Sequence, residues 1–128
     1  PRAILFETAL HGDLLNLDEE DKKRGYAGGM SANRINAGLG TIISQVLEQV
    51  GREKVAGLYT TGGDTMVNVC YQLGVECIEV MDYVIPQTDV GRLVGKYDGL
   101  PVVGKGGLTG NDNTACDIVE RLFKESAR

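Results

Sequence analysis

This sequence predicts an α/β fold: a single-domain sandwich whose sheet, largely parallel or mixed, is flanked by helices. Three observations predict it. Strand-like apolar runs alternate with runs of helical period, the pattern that lays helices over a sheet. Glycine accounts for 18 of 128 residues, about twice its usual share of roughly 7%, as many tight loops at strand ends demand. Two glycine runs, Thr60-Thr61-Gly62-Gly63-Asp64-Thr65 and Lys105-Gly106-Gly107-Leu108-Thr109-Gly110, each stand between an apolar strand-like stretch and a helix. The length suits one compact domain. With 42% hydrophobic residues, 24% charged residues, no tryptophan and 5% aromatics, the composition is globular and the core aliphatic.

Residues 3–8 read as a first strand, followed by a polar loop to about Gly29 in which residues 18–23 form a short exposed helix. Ser31 is placed to cap a long helix whose Ile35, Leu39, Ile42, Ile43, Val46, Leu47 and Val50 keep a 3.6-residue period, and Gly51 ends it. Residues 55–60 read as a buried strand and residues 64–73 as a helix ended by Gly74, with Met66, Val67, Val69, Cys70 and Leu73 at helical spacing. Residues 75–80 alternate polar and apolar like a half-buried strand. Residues 83–95 show no helical period and read as an irregular strand with turns. A turn at Tyr97-Asp98-Gly99 and a strand over 100–105 follow. A helix over 113–124, with Ile118, Val119, Leu122 and Phe123 on its apolar face, completes the order. No repeat, linker or internal boundary is visible, so residues 1–128 read as one domain. The chain starts at Pro1 rather than methionine and enters a strand-like run at once. That start suggests a piece of a longer protein, with a processed or tag-cleaved full-length protein as the alternative.

A formal charge of −5 and the lack of a basic stripe argue against a nucleic-acid-binding surface. The one basic run, Lys22-Lys23-Arg24, follows Asp18-Glu19-Glu20-Asp21 and is compensated by it. No apolar stretch approaches the ~20 residues of a membrane span, and the first residues show no secretory pattern. Cys70, Cys77 and Cys116 lack metal-ligand spacing and read as buried small hydrophobes, free thiols suited to a reducing cytoplasm. His11, the single histidine, excludes a multi-histidine metal site and reads as a surface residue.

The glycine runs carry the chemistry. A glycine pair at a strand-to-helix junction lets main-chain N–H groups approach an anion without a Cβ in the way, and the helix that follows aims its unpaired N–H groups at the same point. A tight turn with Asp64 as helix cap is the simpler alternative. The second run, which carries Lys105, favours a nucleotide site, although neither run has P-loop or dinucleotide-fingerprint spacing. In an open α/β sheet both would lie beyond the carboxyl ends of strands, where ligands bind.

Thr61-Gly62-Gly63-Asp64-Thr65, an apolar helix ending in Leu73-Gly74, Ile85-Pro86 with Gly91 and Leu93, Gly99-Leu100-Pro101-Val102-Val103 and the Lys105–Gly110 loop form an ordered set. That set resembles the C-terminal nucleotide-binding domain of the four-carbon acid sugar kinases, the threonate, erythronate and 3-oxo-tetronate kinases. The likeness is strongest over residues 55–124. It implies a cytoplasmic, two-domain enzyme that uses ATP and Mg²⁺ to phosphorylate a hydroxyl of a four-carbon sugar acid, and this chain would be inactive alone. The acid would be held mainly by an N-terminal domain. The resemblance places ATP on Gly62, Gly63, Asp64 and Thr65 and on Gly107 with its neighbours Lys105 and Gly106. Asp64 is then either a helix cap or a Mg²⁺ contact, and Lys105 a counter-charge to phosphate. No residue is assigned as catalytic. The serine that often follows the family's lysine is Gly106 here, Leu108 and Thr109 replace a Gly-Phe-Gly ending, and an upstream Gly-Ser-x-Ser segment is not found in these residues. Arg34 and Asn36 are candidates for the cleft, and Asp112 and Asn113 for capping the last helix. A stand-alone nucleotide- or small-molecule-binding regulatory module is the competing function. A homo-oligomer stays open, because an uncovered docking patch would itself promote self-association.

Overall fold

The computed structural model describes residues 2–128; Pro1, from which the idea of an excised piece started, lies outside them. Residues 2–16 carry no regular structure, and helix α1 spans Leu17–Arg24. Asn16 caps it by accepting from the Glu19 N–H at 3.2 Å. Asp18, Glu19 and Glu20 in its first turn and Lys22, Lys23 and Arg24 in its last complement the helix dipole. Helix α2 follows as Met30–Val50. Its cap position is Gly29, so Ser31 is not the cap but lies in the first turn. The Ser31 N–H and hydroxyl donate instead to the buried Asp21 carboxylate, and α1 thereby supplies the cap that α2 lacks.

A 3-10 turn, Arg52–Lys54, leads to β1 (Leu58–Thr61), then α3 (Gly63–Leu73), β2 (Val75–Ile85), β3 (Thr88–Gly95), β4 (Pro101–Lys105) and α4 (Thr114–Ser126). The four strands form one sheet in the order β1-β4-β3-β2. Only β1 and β4 run parallel, with Leu58 opposite Val102 and Thr61 opposite Lys105. β4 with β3 and β3 with β2 are antiparallel. The α/β class therefore holds with the sheet in its mixed form, and its parallel part is confined to one pair.

Three further expectations change. Residues 3–8 form no strand: no sheet neighbour pairs with their backbone, and Ile4, Leu5 and Phe6 are 67%, 72% and 40% exposed. A strand-like composition becomes a strand only where an edge receives it. Residues 83–95 are not one irregular strand but the end of β2, a turn at Pro86-Gln87 and β3, with Ile85 opposite Thr88. Gln87 adopts φ 61°, a conformation usually left to glycine or asparagine, which hid the turn. Of the cysteines, Cys70 is half-buried, and its thiol pKa is raised by burial, but Cys77 and Cys116 are exposed.

The sheet buries both faces. Against one lie α2 and α3, where Leu47, Val69 and Leu73 meet Leu93, Leu100 and Val102. Against the other lies α4, where Ile118 and Leu122 meet Val90 and Val103. Alternation along β4 sends Val102 to one core and Val103 to the other. Gly91 on β3 packs so tightly against β2 that a Cβ there would sit 2.5 Å from the Glu79 carbonyl oxygen and 2.7 Å from Ile78 Cγ2. Backbone cannot yield as a side chain can. Gly91→Ala should therefore lower unfolding free energy by about 1–3 kcal/mol, read as a lower urea midpoint.

Beneath α4, Glu125 is 1% exposed and is held by Arg121 Nε at 2.8 Å, with Arg128 at 3.4 Å and Arg92 at 3.6 Å. Arg121 also reaches Asp82 on β2 at 2.8 Å. The Arg121 hydrogen bond, outweighing burial, holds the Glu125 carboxyl below its ordinary value of 4.5. Ionised Glu125 thus stabilises the fold fully above about pH 4.5, and that contribution is lost as pH falls through the lower folded-state value. Glu125→Gln should lessen the acid-side fall in stability, measured as the urea midpoint between pH 6 and pH 3.

Candidate functional site

Because β1 and β4 are parallel neighbours in register, their carboxyl ends finish side by side and both glycine loops leave the sheet at the same edge. The Gly62 N–H donates to the Lys105 carbonyl at 2.9 Å and extends the ladder by one rung beyond the strands. Gly62, at φ 90° and ψ 133°, turns the chain from β1 into α3, a conformation open to glycine and strained for other residues. The Met66 N–H reaches back to the Gly62 carbonyl at 3.1 Å as the first helical bond. The N–H groups of Gly63, Asp64 and Thr65 precede that bond and are the unpaired donors of the helix start. A Cβ on Gly63 would meet nothing within 4 Å, so the ledge above the junction is open.

The second loop is braced differently. The Gly106 N–H donates to Gln87 O at 2.8 Å, pinning the loop to the β2–β3 turn. The Gly106 carbonyl accepts from Lys105 Nζ at 2.6 Å and from Thr109 Oγ1 at 3.1 Å. Lys105 is half-buried and its ammonium is folded onto its own loop. Gly107 and Leu108 beyond it are exposed, and a Cβ on Gly107 would meet nothing within 4 Å.

The seven residues named from the sequence are therefore brought to one edge of the sheet, but their parts differ from expectation. Gly62 and Gly106 spend their N–H groups holding the loops, which leaves the N–H groups of Gly63, Asp64, Thr65 and Gly107 uncommitted. Asp64 does not cap α3: the cap position is Gly62, without a side-chain bond, and Asp64 stands exposed in the first turn. Its carbonyl accepts from Asn68 Nδ2 at 2.9 Å. The Thr65 hydroxyl donates to Asn36 Oδ1 at 2.8 Å, which ties α3 to α2 and brings Asn36 to the site's margin. Arg34 lies over the Tyr26 ring at 5.2 Å instead. His11 pairs with Glu7 at 2.9 Å in the exposed N-terminal segment. Asn113 holds the cap position of α4 without a side-chain bond to that helix, and Thr114 bonds back to Asn111.

Two buried hydroxyls at this edge, Thr60 opposite Gly104 and Thr88 opposite Lys105, have no hydrogen-bond partner among the described residues. They and Gln87 were not foreseen. The Thr60-Thr61 pair was a faint signal for the first, whereas nothing in the sequence marks Thr88 or Gln87. No group of three or more acidic, cysteine or histidine side chains is poised to hold a metal among the described residues. No helix there is long and apolar enough to cross a membrane.

A parallel strand pair that ends in two glycine loops beside a helix start gives an α/β domain whose loops leave the carboxyl ends of neighbouring strands together, the place where open α/β sheets take ligands. Comparison with known proteins makes this specific. The family described as the nucleotide-binding C-terminal domain matches residues 2–115, and the chain belongs to it. A D-erythronate kinase from Heliobacterium modesticaldum is 46% identical over 93 residues, 72% of this chain and 21% of the relative. A D-threonate kinase from Salmonella typhimurium is 35% identical over 87 residues, 67% of this chain and 20% of the relative. The chain thus spans about a fifth of the length of these curated relatives. A solved domain of unknown function from Bordetella bronchiseptica, with bound citrate as a domain-swapped dimer, superposes with a TM-score of 0.67. It is 27% identical, over 77% of this chain and 24% of that one.

The Thr65–Asn36 bond gives a local test. Thr65→Val should cost about 1 kcal/mol by leaving the Asn36 amide oxygen unpaired, with a similar coupling energy to Asn36→Ala in a double-mutant cycle of urea unfolding.

Proposed function

We propose that residues 1–128 are the ATP-holding domain of a four-carbon acid sugar kinase, one that moves the terminal phosphoryl group of ATP to a hydroxyl of an erythronate-like or threonate-like acid. The observation that carries this reading is the alignment of the two glycine loops at one sheet edge, locked by the Gly62 N–H to Lys105 carbonyl bond at 2.9 Å. The kinase relatives and the family match support it. The acid is bound mainly by residues outside this chain, which by itself holds nucleotide without turning it over.

Each residue then has a physical task. The N–H groups of Gly63, Asp64 and Thr65, at the positive end of α3, and that of Gly107 receive phosphate oxygens and stabilise their charge. Lys105 leaves the Gly106 carbonyl and places its ammonium against the phosphates; its bond to that carbonyl holds it close to hand beforehand. Gly62 and Gly106 keep the two loops at a fixed spacing. Asp64 is a carboxylate within the first glycine run and exposed enough to meet Mg²⁺, which ordinarily takes one or two carboxylates with phosphate oxygens and water. When bound, that ion supplies charge neutralisation along the phosphates.

Calorimetric titration of the chain with ATP and ADP, with and without Mg²⁺, tests the reading. Saturable binding is expected, weakened about tenfold or more by Gly63→Val or Lys105→Ala. Open space at Gly63 lets the valine variant keep its tertiary structure. Nucleotide affinity indifferent to both substitutions would overturn the assignment. Phosphorylation of erythronate or threonate by an enzyme containing this domain separates the kinase from a purely regulatory nucleotide module.

A further inference from the structure

The opposite end of the sheet carries a feature that nucleotide binding does not use. A hollow of about 370 Å³ opens where the chain enters β1 and β4. It lies at the far end of β4 from Lys105, four residue steps of about 3.3 Å or roughly 13 Å away. Arg52, Lys54, Arg92 and Arg128 line it, with Glu53 and Phe123. In a chain whose formal charge is −5, this concentration of cations reverses the local sign.

Some of that charge is already spent. Arg92 donates to the Gly99 carbonyl at 2.9 Å and the Glu125 carbonyl at 3.0 Å, and lies 3.6 Å from the Glu125 carboxylate. Arg128 is 3.4 Å from the same carboxylate. Glu125 thus serves two of the four cations besides Arg121. Arg52 and Lys54 are in no ion pair among the described residues. Arg52 makes one long bond, 3.4 Å, to the Asp98 carbonyl, which leaves most of its guanidinium fork free. The Glu53 carboxylate is turned back over Gly51. Four cations against the carboxylates of Glu53 and Glu125 leave a net positive hollow, and the two free cations both border it from the same 3-10 turn.

We propose that this hollow binds a compact phosphate dianion, free or at the end of a phosphomonoester, through Arg52 and Lys54, with Arg92 held by its own partners at the margin. A guanidinium fork and a lysine point charge together suit a tetrahedral oxyanion, and two unspent cations match a double negative charge. The concavity and the acidic remainder of the chain exclude an extended polyanion, which needs a basic stripe. The hollow exceeds the volume of a phosphate group and leaves room for a small ester carbon skeleton. The proposal is independent of the nucleotide reading, since it uses none of the glycine-loop residues.

Amide chemical shifts of the ¹⁵N-labelled chain, titrated separately with inorganic phosphate, glycerol 3-phosphate and sodium chloride at matched ionic strength, test it. Saturable shifts are expected at residues 52–55 and at Gly99 with both phosphates and not with chloride. The Arg52→Ala, Lys54→Ala double variant should weaken that binding about tenfold or more while its spectrum stays dispersed. Lys54→Glu, at an exposed position, should do the same if the double variant loses its fold. Tighter binding of glycerol 3-phosphate would assign the site to an ester, and equal binding to free phosphate. Shifts confined to Gly63–Thr65 and Gly106–Leu108, equal shifts with chloride, or affinity unchanged in the variants would overturn the proposal.

Discussion

The parallel pairing of β1 with β4 is the constraint on which the rest depends. Parallel strands in register end together, so a single rung, Gly62 N–H to Lys105 carbonyl, sets the spacing of the two loops. Had β1 joined the sheet antiparallel, like its other strand pairs, the two glycine runs would stand at opposite ends of the sheet. The pairing is enforced by burial. Leu58 and Val102 face α2 and α3, Tyr59 and Val103 face α4, and a one-residue slip would send each into the wrong core.

Around that pair, polar bonds couple elements that apolar packing alone leaves free to slide. Asp21 fixes α1 to the start of α2, Asn36 fixes α2 to the start of α3, and Gln87 fixes the β2–β3 turn to the second glycine loop. Each bond joins a helix start or a loop to the next layer. The edge bearing the candidate site is therefore positioned from the α2–α3 face and from the β2–β3 hairpin. The Arg121 bridge between Asp82 and Glu125 does the equivalent for α4, holding it against β2.

Much of this was legible in the sequence, for identifiable reasons. Helices α2, α3 and α4 declare themselves by period, and Gly51, Gly74 and the Gly62-Gly63 pair mark their ends. The two loops were visible because each glycine run stands between an apolar strand-like stretch and a helical period. What escaped depended on partners far away in the chain. Residues 3–8 leave both edges of the sheet unpaired, so strand-like composition alone does not decide pairing. The β2–β3 hairpin is closed by glutamine in a left-handed conformation that composition does not advertise. Asp21 caps a helix nine residues on, and no local spacing rule reaches that far. The orphaned Thr88 hydroxyl exists only because β3 returns beside Lys105.

The sheet ends in two unpaired borders, and the one along β2 is 11 residues long. A straight border of that length, with Val80, Met81 and Tyr83 exposed, would be a template for pairing with any passing strand. β2 is not straight. Its register against β3 shifts at three places, between Val75 and Cys77, Val80 and Asp82, and Tyr83 and Ile85. Glu76, Glu79 and Asp82 distribute negative charge along the same stretch. The register shifts and these charges together make β2 a poor seed for cross-β growth, an edge guarded by backbone shape as well as by surface composition.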